Sequence, residues 1–316
     1  MQLEQALTTR ILLKEHHPLH RAVFYGKLFI GIGLVFVILS LSVLFIGMRW
    51  MEDSLFPVHI PLWVIGVLCG TGVGGGVWLI VSGLRDVQRI WNRNHGQQQF
   101  PSSPWLWDYP WQAWGVTDNF LKSALRSLVA LILFSLFLSP FHWIAFAWEE
   151  RSFFWQGIVG LLDLVIILSV GDRFVMKLKQ YLRYGNSQLE FHDFPFFLGN
   201  PLSLTLKNVP STISTLHLTL RCIEEAYLSD NTSQNTQSVV VCYQIYQDSQ
   251  MIEQGDVHAG ADLDLLWMLP EDPTLSSTPS ERPATYWELE VTAEQQDVNY
   301  QSRFLLPIYA EPVEFT

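Results

Sequence analysis

Charge is what this sequence has least of. Asp, Glu, Lys and Arg together make up 16% of its 316 residues, where soluble domains carry about a quarter. Cysteine is nearly absent too, with three in the whole chain, which excludes a small secreted fold held by disulfides. Catalytic signatures are also wanting: no nucleophile elbow, HExxH, P-loop or paired metal-ligand motif occurs. His192, His217 and His258 have no evident spacing relation to a nucleophile. These absences point to a non-enzymatic protein with no cofactor and no bound metal.

What fills the space is apolar sequence in long stretches. Residues 28–48, 54–84 and 127–148 contain no charged side chain, and 152–171 contains only Asp163. A helix of about 20 residues crosses the roughly 30 Å hydrocarbon core of a bilayer. Four spans are therefore predicted, at about 28–48, 61–84, 127–148 and 153–172. The first is too long for a signal-peptide core and lacks a clear small-residue cleavage site, so it is expected to remain in the membrane.

Lys and Arg are distributed unevenly around those spans. Four precede the first (Arg10, Lys14, Arg21, Lys27), five lie between the second and third (Arg85, Arg89, Arg93, Lys122, Arg126) and four follow the last (Arg173, Lys177, Lys179, Arg183). The other two connections hold one each, Arg49 and Arg151. Cations are retained on the cytoplasmic side, so both termini are expected there, with the three cysteines free and reduced.

Sign of charge divides the chain once more. Residues 1–184 carry 15 basic against 11 acidic side chains, whereas 185–316 carry 4 against 19. A boundary at 184/185 follows, separating a four-span domain, with a cytoplasmic loop at 85–126, from an acidic domain of its own. In the second part the long apolar runs give way to short alternating ones, "LSLTLKN", "TLHLTLRCI", "SVVVCYQIY", "YWELEVTAE" and "SRFLLPIY", punctuated by Gly, Pro and Asn. In "YWELEVTAE" the residues Trp287, Leu289 and Val291 face one way and Glu288, Glu290 and Thr292 the other, as in a half-buried strand. Strands without intervening helices argue for an antiparallel immunoglobulin-like β-sandwich. The fold class expected is thus membrane α plus all-β.

Five features carry candidate roles. Span two contains Gly66, Gly70, Gly72, Gly74 and Gly76; their intervals of four suit close helix packing and leave room for a homo-oligomer. A phosphate-binding glycine loop would need aqueous amides after a strand. Asp163 stands inside a span, where an ionisable group costs several kcal/mol unless protonated, paired or wet; helix glue is the favoured reading and an ion or proton pathway the sharper one. Trp105, Trp107, Trp111 and Trp114 crowd one loop and read as membrane-interface anchors, with an aromatic ligand platform as the alternative. Arg85, Arg89 and Arg93 recur every four residues as a cationic stripe suited to lipid phosphate. His16, His17 and His20 lack a regular metal-binding spacing, and Asp262, Asp264, Glu271 and Asp272 lack that of an EF-hand, so solvated segments are expected at both.

The Trp-rich "PWLWDYPW", the "RYGNSQLEFHDFPFFLGNPLSLTL" after the last span, "LTLRCIEE" and the closing "YWELEVTAEQQDVNYQSRFLLPIY" give residues 60–316 a specific order of parts. That order resembles a domain-of-unknown-function family of bacterial multi-pass membrane proteins. The tail is similar to an arrestin-like β-sandwich in the pattern of Trp287, Leu289, Val291, Tyr300, Phe304, Pro307 and Tyr309. The resemblance implies no catalytic residue, and a small or apolar residue where this chain has Asp163. The function expected is that of a membrane-tethered scaffold or protein-interaction module, with the lipid bilayer and a protein as partners. The −15 balance of the tail speaks against nucleic acid. A subunit of an oligomeric channel or transporter using Asp163 is the alternative.

Overall fold

The computed structural model describes residues 10–13, 16, 25–52, 61–147, 153–208, 215–229, 238–253, 262–293 and 299–312. Among them, four helical stretches are long and apolar enough to cross a membrane: Gly26–Arg49, Trp63–Gln99, Phe120–His142 and Phe153–Tyr184. The chain forms two compact units, one of Phe24–Trp91 and Lys122–Leu178, the other of Met1–Val23, Asn92–Leu121 and Lys179–Thr316.

Helices make up the first unit. α1 (Gly26–Glu52) and α2 (Leu62–Gln99) meet along a seam of small residues. A Cβ built on Gly33 would sit 2.5 Å from the Gly76 carbonyl, and one on Gly76 2.7 Å from the Gly33 carbonyl. Gly26 and Gly83 face each other in the same reciprocal way, and Gly72 faces Ser40. Position rises along α1 as it falls along α2, so the pair is antiparallel, with contacts every seven residues on α1. Small residues at the crossing allow the close backbone approach that dispersion and weak hydrogen bonds require. α3 (Phe120–His142) carries Pro140 and continues as a π-helical turn, Trp143–Ala147. α4 (Phe153–Ile166) likewise passes through a π-helical turn, Ile167–Gly171, into α5 (Asp172–Tyr184).

Strands make up the second. One antiparallel sheet has the order β1-β7-β6-β9-β10, from Ile11–Leu13, Ser238–Glu253, Thr215–Ser229, Thr285–Ala293 and Tyr300–Leu306. The other has the order β2-β3-β5-β8, from Gly115–Asp118, Ser187–Phe191, Pro201–Lys207 and Leu263–Met268. A short parallel pair joins β4 (Phe196–Phe197) to β11 (Ile308–Tyr309). Both larger sheets contribute to one core: Leu216, Leu218, Leu220, Trp287 and Leu289 from the first, Leu189, Leu204, Leu206 and Trp267 from the second. Alternation in the sequence is therefore alternation in burial, as the pleat demands. The three cysteines are free and buried.

Two segments that the boundary at 184/185 groups with the spans belong to this unit. β1 pairs with β7 through Ile11, Leu12 and Leu13, and β2 pairs with β3 through Gly115 to Asp118. Gly115 is required there: its φ is +141° and a Cβ would lie 2.9 Å from the Glu190 Cα. The second face of β9 also differs from a solvated one. Glu288 is fully buried, held by Arg221 at 2.8 Å and approached by His16 at 3.3 Å, and Tyr286 lies in a small cluster with Ile223, Cys242 and Leu305, flanked by Leu13, Tyr109 and Trp111. Burial alone would push the Glu288 carboxyl upward, but His16, Arg221 and Arg303 outweigh it and hold it below the ordinary range.

Candidate functional site

The Trp-rich segment is built around one carboxylate. A single 3-10 turn, Pro104–Leu106, follows α2, and Trp107 donates its indole N–H to the Phe100 carbonyl at 2.9 Å. The reversal brings Trp105 edge-on to Phe197, with ring centroids 5.5 Å apart, and within 5.9 Å of Tyr309. Trp111 packs on Tyr109 and places its Nε1 2.7 Å from the Tyr309 oxygen. Indole can only donate, so Tyr309 accepts from Trp111 and gives its own hydrogen to Asp108, whose oxygens lie 2.8 and 2.9 Å away.

Burial is the dominant influence on Asp108 and lifts its carboxyl to about 7, against the pull of Tyr309, Trp111, Tyr109 and the Arg93 charge. The Tyr309 phenol is pushed above its usual range, chiefly by burial and also by the neighbouring carboxylate. Three of the four tryptophans expected as membrane anchors are thus engaged by protein: Trp105 and Trp111 with Tyr309, Trp107 with the Phe100 carbonyl. Trp114 remains 53% exposed and Leu106 57%.

Other candidate residues are placed as follows. Arg85 and Arg89 are exposed on α2, whereas Arg93 donates to the Ser280 carbonyl at 2.6 Å. Of the five span-two glycines, Gly72 and Gly76 face α1; a methyl group added at Gly66, Gly70 or Gly74 would meet nothing within 4 Å. Asp163 has a partner that charge counting passes over, His142, whose Nε2 lies 2.8 Å from Oδ2. The signal was present in the sequence, since His142 is the one imidazole in window 127–148.

His16 lies against Glu288, while His17, His20 and His258 are outside the described residues. Among the described residues no group of three or more His, Cys, Asp or Glu side chains is arranged to hold a metal. Asp272 caps the turn Pro273–Leu275, accepting from the Thr274 hydroxyl and amide, and these two bonds lower its carboxyl. Asp264 accepts from Thr205 at 2.7 Å. Thr205 in turn is 2.7 Å from His192 Nε2, and Ser203 2.8 Å from Nδ1. Strand pairing of β3, β5 and β8 brings this polar row together from distant parts of the sequence.

No family model matches the chain, and no curated protein matches it either. Among solved structures, Spo0M, a sporulation control protein from Bacillus subtilis, is similar at 10% identity over 39% of this chain, with a TM-score of 0.26. The match spans about half of that protein's length, 49%.

Proposed function

We propose that this is a non-enzymatic protein of the bacterial inner membrane that holds an acidic, arrestin-like β-sandwich at the cytoplasmic face as a protein-interaction module. One observation carries the reading. Residues before the first span, residues 92–121 and the chain from 179 onward, which the apolar windows separate, are parts of one folded unit. Segments that fold together must share one side of the membrane. The three connections to which they belong hold thirteen of the fifteen basic residues in 1–184. Those two facts together support spans inserted in the bilayer, termini in the cytoplasm and a tethered sandwich.

The tail's excess of carboxylates makes a basic protein surface its natural partner, and tethering raises the local concentration at which the two meet. Trp114, with Leu106, is the part of the loop left to contact headgroups, as are Arg85 and Arg89 for lipid phosphate. Purification of the intact protein from native membranes in mild detergent tests the proposal. A basic protein retained at low ionic strength and released by salt is expected, and retention that persists after all the surface carboxylates of β6 to β9 are neutralised overturns it. A second reading, a channel or transporter subunit, draws on the His142–Asp163 contact.

A further inference from the structure

The contact between α3 and α4 contains a proton that hydrogen-bond geometry requires. His142 closes α3 two residues after Pro140, at the entry to a π-helical turn, an irregularity frequent at functional positions. Its Nδ1 lies 2.9 Å from the Leu138 carbonyl oxygen. A carbonyl has no hydrogen to give, so Nδ1 carries one. A neutral imidazole has a single N–H, which leaves Nε2 as a bare lone pair, and that lone pair faces Asp163 Oδ2 at 2.8 Å. Two arrangements satisfy the contact: a carboxylic acid donating to a neutral ring, or an imidazolium donating to a carboxylate. Both contain the same number of protons and both are neutral overall.

We propose that His142 and Asp163 together form a site that binds one proton in the membrane half of the protein. Removing that proton would set two lone pairs against each other and leave a net negative charge among apolar side chains, so its loss is coupled to parting of α3 from α4. Phe146 stacks on the imidazole with centroids 6.2 Å apart, and Gln156 donates to the Ala145 carbonyl one turn beyond. Windows 28–48, 61–84, 127–148 and 153–171 hold no other carboxylate, imidazole or cation. The charge of this site is therefore balanced within the pair. Each side chain keeps over a third of its surface uncovered by protein, 38% and 37%.

The test is nitrogen NMR of the full-length protein, ring-labelled at histidine, in nanodiscs of phosphatidylethanolamine and phosphatidylglycerol, with His142 assigned by its loss in His142→Gln. The expected spectrum has Nδ1 protonated and Nε2 sharing a proton with Asp163 at pH 7. In Asp163→Asn the amide N–H donates to Nε2 in place of the shared proton, so the helices stay linked while His142 becomes an ordinary neutral ring. Asp163→Glu restores the shared proton. A wild-type ring protonated on Nε2 alone, or a wild-type Nε2 at the shift of a bare nitrogen that accepts no hydrogen bond, overturns the proposal.

Discussion

Tyr309, in β11, donates its phenolic hydrogen to Asp108, 201 residues earlier, at 2.8 Å. This bond, with the Trp111 indole donating to the same phenol oxygen, fastens the Trp-rich segment to the β unit.

Asp108 makes that fastening pH-dependent. Its folded carboxyl titrates near 7, against 3.8 for the free group, so folding takes up a proton between those values. The stability that Asp108 contributes is then fully present below 3.8 and is lost as pH rises from there through about 7, by at most about 1.4 kcal/mol per pH unit. Thermal unfolding at a pH of about 5.5 and of about 8, either side of the folded value, should show the wild type less stable at the higher one. Asp108→Asn should remove most of the difference, and a wild type that gains stability between those values would exclude this assignment.

Glycines on one helix should differ sharply in what they tolerate. Gly76→Leu drives a side chain into the Gly33 carbonyl and the Val37 side chain, so a loss on the order of 1–3 kcal/mol is expected. Gly70→Leu, with nothing within 4 Å, should stay within about 0.5 kcal/mol. Unfolding in detergent measures both, and equal effects would contradict the α1–α2 seam.

Trp287 is fully buried and donates to the Leu275 carbonyl at 2.6 Å. Trp287→Ala should destabilise the β unit by about 3–5 kcal/mol. The fragment 185–316 expressed alone should be β-rich by circular dichroism, yet melt below the intact unit, because β3 loses its partner β2 and the core loses Phe120. A fragment as stable as the intact unit would show those segments to be dispensable.

Topology is testable with reporter fusions. Signals placed at the N-terminus, at residue 95 and at residue 316 should all read cytoplasmic, and one at residue 150 should read periplasmic. A periplasmic signal at the C-terminus would remove both the orientation and the cytoplasmic tether.

Composition and local period by themselves determined much of the fold. Four apolar helices could be placed because a span is a property of some 20 consecutive residues. β5, β6, β7, β9 and β10 could be placed because alternation is a property of each strand. Everything that depends on which residues meet across the chain was decided by tertiary structure. Glycine intervals of four on α2 do not say which row turns toward α1; the packed row is Gly72 and Gly76, because those positions oppose Ser40 and Gly33. Alternation in β9 marks Glu288 as outward, but not that His16 and Arg221 would close over it. That two of the crowded indoles, Trp105 and Trp111, meet Tyr309 is not legible in the loop, because Tyr309 is distant in sequence. Asp163 reads as a lone acid because histidine is not counted as charge, and only the meeting of α3 with α4 gives it His142. Local periodicity carries no information about such pairings, since each depends on helix rotation and strand order, which are set by packing of the whole unit.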